Sequence, residues 1–150
     1  MSSRDAVRMT EAELAAFLAA PRTLNVATIG PDGTIHLVAM WYLMQGASPV
    51  FTTYGKSQKV ANLRRDPGLT ALVEAGDDYD SLRGVELVGM AELIEDFDEV
   101  VALVRAIGAH YGARGADQDP ERAAAKRVGV RLVPERVISW DHAKIAALPH

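Results

Sequence analysis

Apolar residues recur with two different periods along this 150-residue chain, and the points where one period gives way to the other mark its elements. Leu14, Phe17 and Leu18 are spaced for one face of a helix. Thr10 and Glu13 supply a capping box in front of it, Met9 and Leu14 take the two positions of a hydrophobic staple, and Pro21 ends it. From residue 23 to 29 the pattern alternates and is β-branched, so it predicts a strand. Gly30-Pro31-Asp32-Gly33 then turns the chain, and residues 34–43 return as a second strand. Residues 45–49 turn again into the strand Val50-Phe51-Thr52-Thr53. A short helix opens at Ser57 and stops before Pro67. Residues 69–74 read as a strand, and 82–93 as a long one containing Gly84 and Gly89. Those glycines predict a bulge, or a place where a ligand or another backbone comes close. Asp96 or Asp98 caps a helix carrying Phe97, Val100, Val101, Val104, Ile107 and Tyr111 at helical spacing. A polar loop over 112–120, a helical turn over 122–126, and strands over 127–133 and 137–140 complete the chain. Roughly six short strands joined mostly by hairpin-length turns predict a mainly β fold with a few helices, an antiparallel barrel.

Composition narrows the class. Hydrophobic residues make up 49% and charged residues 24%, values of an ordinary globular chain expected to form one domain. No run of about 18 apolar residues predicts a membrane span, and no apolar leader predicts a signal peptide. The absence of cysteine excludes disulfides and thiol nucleophiles and fits a cytoplasmic protein. A net charge of −4 gives no general attraction to nucleic acid. His36, His110, His142 and His150 are scattered, and Asp77, Asp78 and Asp80 lack the glycine and glutamate of a calcium loop, so no metal site is expected. No nucleophile elbow, Walker A motif or dinucleotide fingerprint occurs. No residue is marked as catalytic; if the protein is an enzyme, a bound cofactor supplies the reactive centre.

The most informative stretch runs from Thr52 to Pro67. A serine N-cap leaves backbone N–H groups free at a positive helix end, which is a ready anion site. Lys59 stands in the first turn of that helix, where the dipole disfavours a cation by roughly 0.3–1 kcal/mol. Lys56 adds a second charge beside it. A phosphate between Ser57, Lys59 and the helix end accounts for this arrangement; a solvated basic turn accounts for it equally well on spacing alone. Trp41 and Tyr42 follow an apolar run on the preceding strand. A flat conjugated ring could lie along Val38, Met40 and Trp41, beside the hydroxyls of Thr52 and Thr53, while its phosphate tail reaches Lys59. Alternation forbids Trp41 and Tyr42 from both facing it. Tyr42 is assigned to packing, and core packing fits Trp41 as well as a ligand contact does.

These features occur in a recognisable order. Asn25-Val26-Ala27-Thr28-Ile29 precedes Asp32-Gly33, then residues 38–42, then Thr52-Thr53 and Ser57-x-Lys59-x-x-Asn62-Leu63-Arg64-Arg65-Asp66-Pro67. Leu82-Arg83-Gly84-Val85, Gly89-x-Ala91-Glu92 and Arg131-Leu132-Val133-Pro134-Glu135-Arg136-Val137 follow. Over about residues 10–142 the chain resembles the pyridoxamine 5′-phosphate oxidase-like split-barrel family, especially its branch of flavin- and deazaflavin-dependent oxidoreductases. The resemblance implies a six-stranded split antiparallel β-barrel and a homodimer with two cofactor sites at the subunit interface. It implies phosphate binding by Ser57 and Lys59, with Lys56, Gln58, Asn62, Thr52 and Thr53 around them. Gln58 stands where the flavin-binding oxidases usually carry arginine, which leaves room for the deazaflavin coenzyme F-420 beside FMN. The substrate-binding arginine and histidine of the true oxidases have no clear counterpart, so vitamin synthesis is not implied. The expected activity is hydride transfer from reduced F-420 to a small conjugated organic substrate. The alternatives are an FMN enzyme of the same fold and a carrier or sensor that binds the cofactor without turnover.

Overall fold

The computed structural model describes residues 2–112 and 119–147. A short helix α1 (Ser3–Val7) leads to α2 (Glu11–Ala19), whose capping box forms as expected: Glu13 N–H donates to Thr10 Oγ1 at 3.2 Å and Thr10 N–H to Glu13 Oε2 at 2.8 Å. The strands are β1 (Leu24–Ile29), β2 (Ile35–Met40), β3 (Leu43–Gln45) and β4 (Ser48–Tyr54). Helix α3 (Gln58–Arg65) then leads to β5 (Gly68–Ala75) and β6 (Arg83–Ile94). Helices α4 (Phe97–His110) and α5 (Pro120–Ala124), strand β7 (Arg127–Asp141) and α6 (Ala143–Ala146) finish the chain. Asp96, not Asp98, caps α4, accepting from Glu99 N–H at 3.0 Å. Residues 113–118 of the expected polar loop, and His150, lie outside the described residues.

All seven strands form one antiparallel sheet in the order β2-β1-β5-β6-β7-β4-β3. Its two edges, β2 and β3, do not pair, so the barrel is split. The sheet nonetheless curls round a main core: Leu24 and Val26 of β1 cluster with Phe51 of β4 and Val130 and Leu132 of β7, and Met40 and Met44 of the two edges pack against the same cluster, while Val50, Ile94, Val100, Leu103 and Ala124 form a smaller second one. Tyr42 sits in the seam between the edges. It is buried, and its hydroxyl donates to the Leu18 carbonyl of α2 at 2.7 Å. Tyr42 is therefore packing, as its position predicts.

Three expectations need correction. Residues 34–43 are not one strand: the pattern continues through Trp41 and Tyr42, but there the chain crosses from one sheet edge to the other. The split adds β3, so the sheet has seven strands, in line with the roughly six expected. The expected turn over 45–49 shrinks to Gly46 and Ala47, with Gly46 at φ +61°. Residues 127–133 and 137–140 are one strand, bent where Val88 pairs with Arg136 and Gly89 with Pro134. The bulge lies opposite Gly89, whose added Cβ would stand 1.9 Å from the Val133 carbonyl oxygen, and it accommodates a proline that cannot donate to the ladder. At Gly84 a Cβ would meet the Trp140 ring at 2.5 Å. Both glycines thus admit the protein's own atoms. Among the described residues no helix is long and apolar enough to cross a membrane.

Candidate functional site

Helix α3 opens where β4 ends, and its first turn is wedged between two walls of the barrel. Lys59, Val60, Asn62 and Leu63 are its buried residues. Apolar Val60 and Leu63 anchor the helix, and this draws the polar Lys59 and Asn62 into the interior with them. Ser57 is the N-cap, accepting from Val60 N–H at 3.4 Å, a long bond for a cap.

Lys59 lies on the β4 side. It is only 8% exposed, and its ammonium donates to Thr53 Oγ1 at 2.8 Å. Among the described residues it makes no ion pair. Burial, and secondarily the nearby positive charge of Arg127, hold its pKa below the ordinary lysine value. An ammonium carries three donors, and Thr53 takes one. A buried cation without a counter-charge is an expensive arrangement unless an anion completes it.

The β1 side of the same turn is uncharged. Gln58 Nε2 donates to Asn62 Oδ1 at 2.8 Å, and Asn62 Nδ2 donates to Thr28 Oγ1 at 3.0 Å. This relay pins α3 to β1, so the fully buried Asn62 orients the helix. Thr28 pairs across β1–β2 with His36. Between the β1–β2 turn and α3 lies a cavity of about 420 Å³, lined among others by Pro31, Asp32, Ile35, His36, Gln58 and Asn62. Nδ1 of His36 is the one buried side-chain nitrogen or oxygen among the described residues that lacks a hydrogen-bond partner. Leaving such an atom unpaired costs about 1–3 kcal/mol.

The structure brings Ser57, Gln58, Lys59, Asn62 and Thr53 together round one helical turn. Lys56 is exposed on the loop before it. Thr52 and Thr53 point to opposite faces of β4, and only Thr53 reaches Lys59. Val38 and Met40 share the inner face of β2 with His36, half-buried against the core. Strands β2 and β4 are not neighbours in the sheet, so the strand pair expected to carry a ring is not a hydrogen-bonded pair. Trp41 stands beyond the far end of β2, stacked on Tyr111 at 4.6 Å and 47% exposed. Met40 pairs with Leu24 and His36 with Thr28, so roughly 13 Å of extended strand separates Trp41's end from the α3 turn.

Two residues escape the sequence reading. Arg127, over the Tyr54 ring at 4.5 Å, becomes a neighbour of Lys59 only through the β4–β7 pairing. His36 had a usable signal, because alternation along β2 puts it on the face of Val38 and Met40; weighing it only as a metal ligand hides that. Among the described residues no group of three or more metal-ligating side chains gathers.

Residues 10–141 match the family described as pyridoxamine 5′-phosphate oxidase. The chain belongs to that family. Its split barrel is similar to that of Rv2991 from Mycobacterium tuberculosis, at 42% identity over 100% of this chain and 95% of that one, with a TM-score of 0.88. It is similar to a protein described as an F420 reductase, at 27% identity over 81% of this chain and 93% of that one, with a TM-score of 0.70. A FAD-binding protein from Mesorhizobium loti shares the fold at 17% identity and a TM-score of 0.65, over 87% of this chain and 94% of that one. No curated protein is a match in sequence. The family is described by an oxidase, and the fold is shared with a protein described as an F420 reductase.

Proposed function

We propose that this protein is an oxidoreductase that uses reduced coenzyme F-420 for hydride transfer to a small conjugated organic substrate. The observation that carries the reading is Lys59, a buried ammonium beside a serine-capped helix end, without a carboxylate partner among the described residues. A phosphate fits it: Lys59 supplies the charge, Ser57 and the free N–H groups of the first turn supply donors, and Arg127 adds attraction from the side. The cofactor, when bound, supplies the hydride chemistry. The chain's own task is to anchor the phosphate, orient the attached ring and keep water from the reacting face. The described likeness to an F420 reductase and the glutamine at position 58 favour the deazaflavin over FMN.

The reading includes a homodimer. Ile35 and Leu37 project from the outer face of β2 at 58% and 66% exposure, and Ile29 lies opposite Ile35 on β1. Such an apolar sheet face is costly in water and suits a self-complementary interface, which would bury about 2,000 Å² or more in total.

Fluorescence titration of the purified protein with F-420 and with FMN tests the reading. F-420 is expected to bind more tightly, with turnover on reduction of an added conjugated acceptor. A protein that purifies yellow and prefers FMN points to the FMN enzyme. F-420 binding without turnover on any acceptor points to a carrier, and binding of neither cofactor overturns the proposal. Light scattering on the cofactor-loaded protein is expected to report a dimer; a loaded monomer would remove the interface.

A further inference from the structure

The segment in front of α2 is tied down from outside the sheet, and its ties converge on α6. Val7 and Met9 are buried, and Met9 belongs to the main core cluster together with Phe17 and Leu18 of α2. The backbone beside them is held at two points. Met9 N–H donates to Ser139 Oγ of β7 at 3.1 Å, and the Lys144 ammonium of α6 donates to the Arg8 carbonyl at 2.8 Å. The same ammonium pairs at 2.6 Å with Glu13 Oε2, the oxygen that also accepts Thr10 N–H in the α2 capping box. One lysine therefore grips both the residue before Met9 and the first turn of the helix after it.

Helix α6 has four residues, too few to be stable by itself, so its position is set by what braces it. His142 N–H donates to the Leu82 carbonyl at 2.9 Å, and His142 Nδ1 donates to the Tyr79 carbonyl at 2.9 Å. The Tyr79 and His142 rings meet at 4.7 Å, and Asp141 Oδ1 accepts from Ala143 N–H at 3.0 Å. The helix is thus anchored on the segment between β5 and β6 and on the end of β7, and Lys144 reaches from that anchor to the front of the chain.

We propose that α6 is a clasp that holds the Ser2–Met9 segment over the core, with Lys144 as its bolt, and that this segment opens locally while the sheet stays folded. Opening breaks the Lys144 and Ser139 contacts and uncovers Met9 with the apolar surface of α2 behind it; no strand-to-strand bond is lost. The clasp therefore decides whether an apolar patch is shown to solvent. None of its bonds involves the α3 turn, so it does not depend on the cofactor reading.

An arginine-specific protease reads the clasp, because the peptide bond after Arg8 carries the carbonyl that Lys144 holds. Cleavage there requires the open segment, and where opening and closing are fast its rate follows the open population. The full chain is digested as wild type, Lys144→Met and Glu13→Gln, and products are followed by mass spectrometry. The bonds after Arg64 and Arg65 of α3 serve as an internal control. Lys144→Met, which keeps the apolar stem, is expected to speed cleavage after Arg8 about fivefold to tenfold. Glu13→Gln keeps an acceptor for the capping box and loses only the charge, so it should speed it about twofold to threefold. In both variants the melting temperature and the control cleavage should hold. The proposal is overturned if either variant is cut after Arg8 at the wild-type rate. It is equally overturned if Lys144→Met fails to fold, or melts lower with the control bonds accelerated as much, since Lys144 would then support the whole fold.

Discussion

The two ends of the barrel both bury polar groups, and they treat them in opposite ways. At the seam, Tyr42 donates its hydroxyl to the Leu18 carbonyl at 2.7 Å and its backbone N–H to Tyr111 Oη at 3.1 Å. Tyr111 in turn donates to the Arg22 carbonyl at 2.5 Å. Burial pushes both phenol pKa values up, so the hydroxyls stay neutral and the network stays whole. At the α3 end, among the described residues, Lys59 has a single hydroxyl partner and no counter-charge, and His36 Nδ1 has no partner. Aromatic residues and burial are common to both ends, so neither distinguishes them. Accounting for partners does: the seam is a finished plug, and the α3 turn keeps open partners that the proposed phosphate would fill.

The largest expected effect belongs to the plug. Tyr42→Ala should cost about 3–5 kcal/mol of stability by analogy with other large-to-small core changes, read by chemical denaturation. Tyr42→Phe should cost about 1–3 kcal/mol, since the Leu18 carbonyl is left unpaired. In the Phe variant cofactor affinity should be kept. Selective loss of affinity there, with stability intact, would abolish the division between the two ends.

The next effect is on pH dependence and belongs to Lys59. An anion bound beside the ammonium raises its pKa relative to the free protein, so the complex holds the proton more tightly. Affinity is then full below the free-state pKa and declines as pH rises through it. Because burial and Arg127 hold that value below an ordinary lysine, the decline should begin at lower pH than an exposed lysine would give. The same depression means that the free fold gains stability as pH rises from the free-state value towards the unfolded lysine value. Titrations of F-420 binding across the alkaline range check this; affinity that stays flat until the ordinary lysine range would contradict a buried Lys59 contact.

The smallest effect is expected at Trp41. Its stack on Tyr111 stands at the paired end, and Trp41→Phe should leave F-420 affinity within about twofold, since exposed positions away from a site change little. Cofactor binding that strongly quenches wild-type fluorescence, with quenching lost in Trp41→Phe, would move the ring to the seam and redraw the comparison.

What was legible in the sequence follows the same physics. The α2 capping box, the Ser57 cap, the β1–β2 hairpin and the α4 spacing are local patterns, and each formed where it was read. The passage from β2 to β3 was missed because alternation describes which face a residue takes and carries no record of a change of sheet edge. The single long β7 was missed because Pro134 and Glu135 read as a break, whereas the bulge against Gly89 absorbs them. At the candidate site, the buried first turn with Ser57 and Lys59 was legible through the cost of a cation in a first helical turn; its role stays a proposal. Arg127 was not, because it depends on the β4–β7 pairing between segments far apart in the chain; the face of His36 was readable from alternation along β2, but not that its Nδ1 lacks a partner among the described residues.

The central claim is that Lys59 is buried for a ligand and not for the fold. Lys59→Ala tests it most directly, with F-420 affinity and free-protein stability measured on the same preparation. The charge-assisted contact is worth about 1.5–3 kcal/mol, so affinity should fall at least about tenfold, while the melting temperature holds or rises as an uncompensated buried charge is removed. Unchanged F-420 affinity, or a large loss of stability in the free variant, would contradict the account.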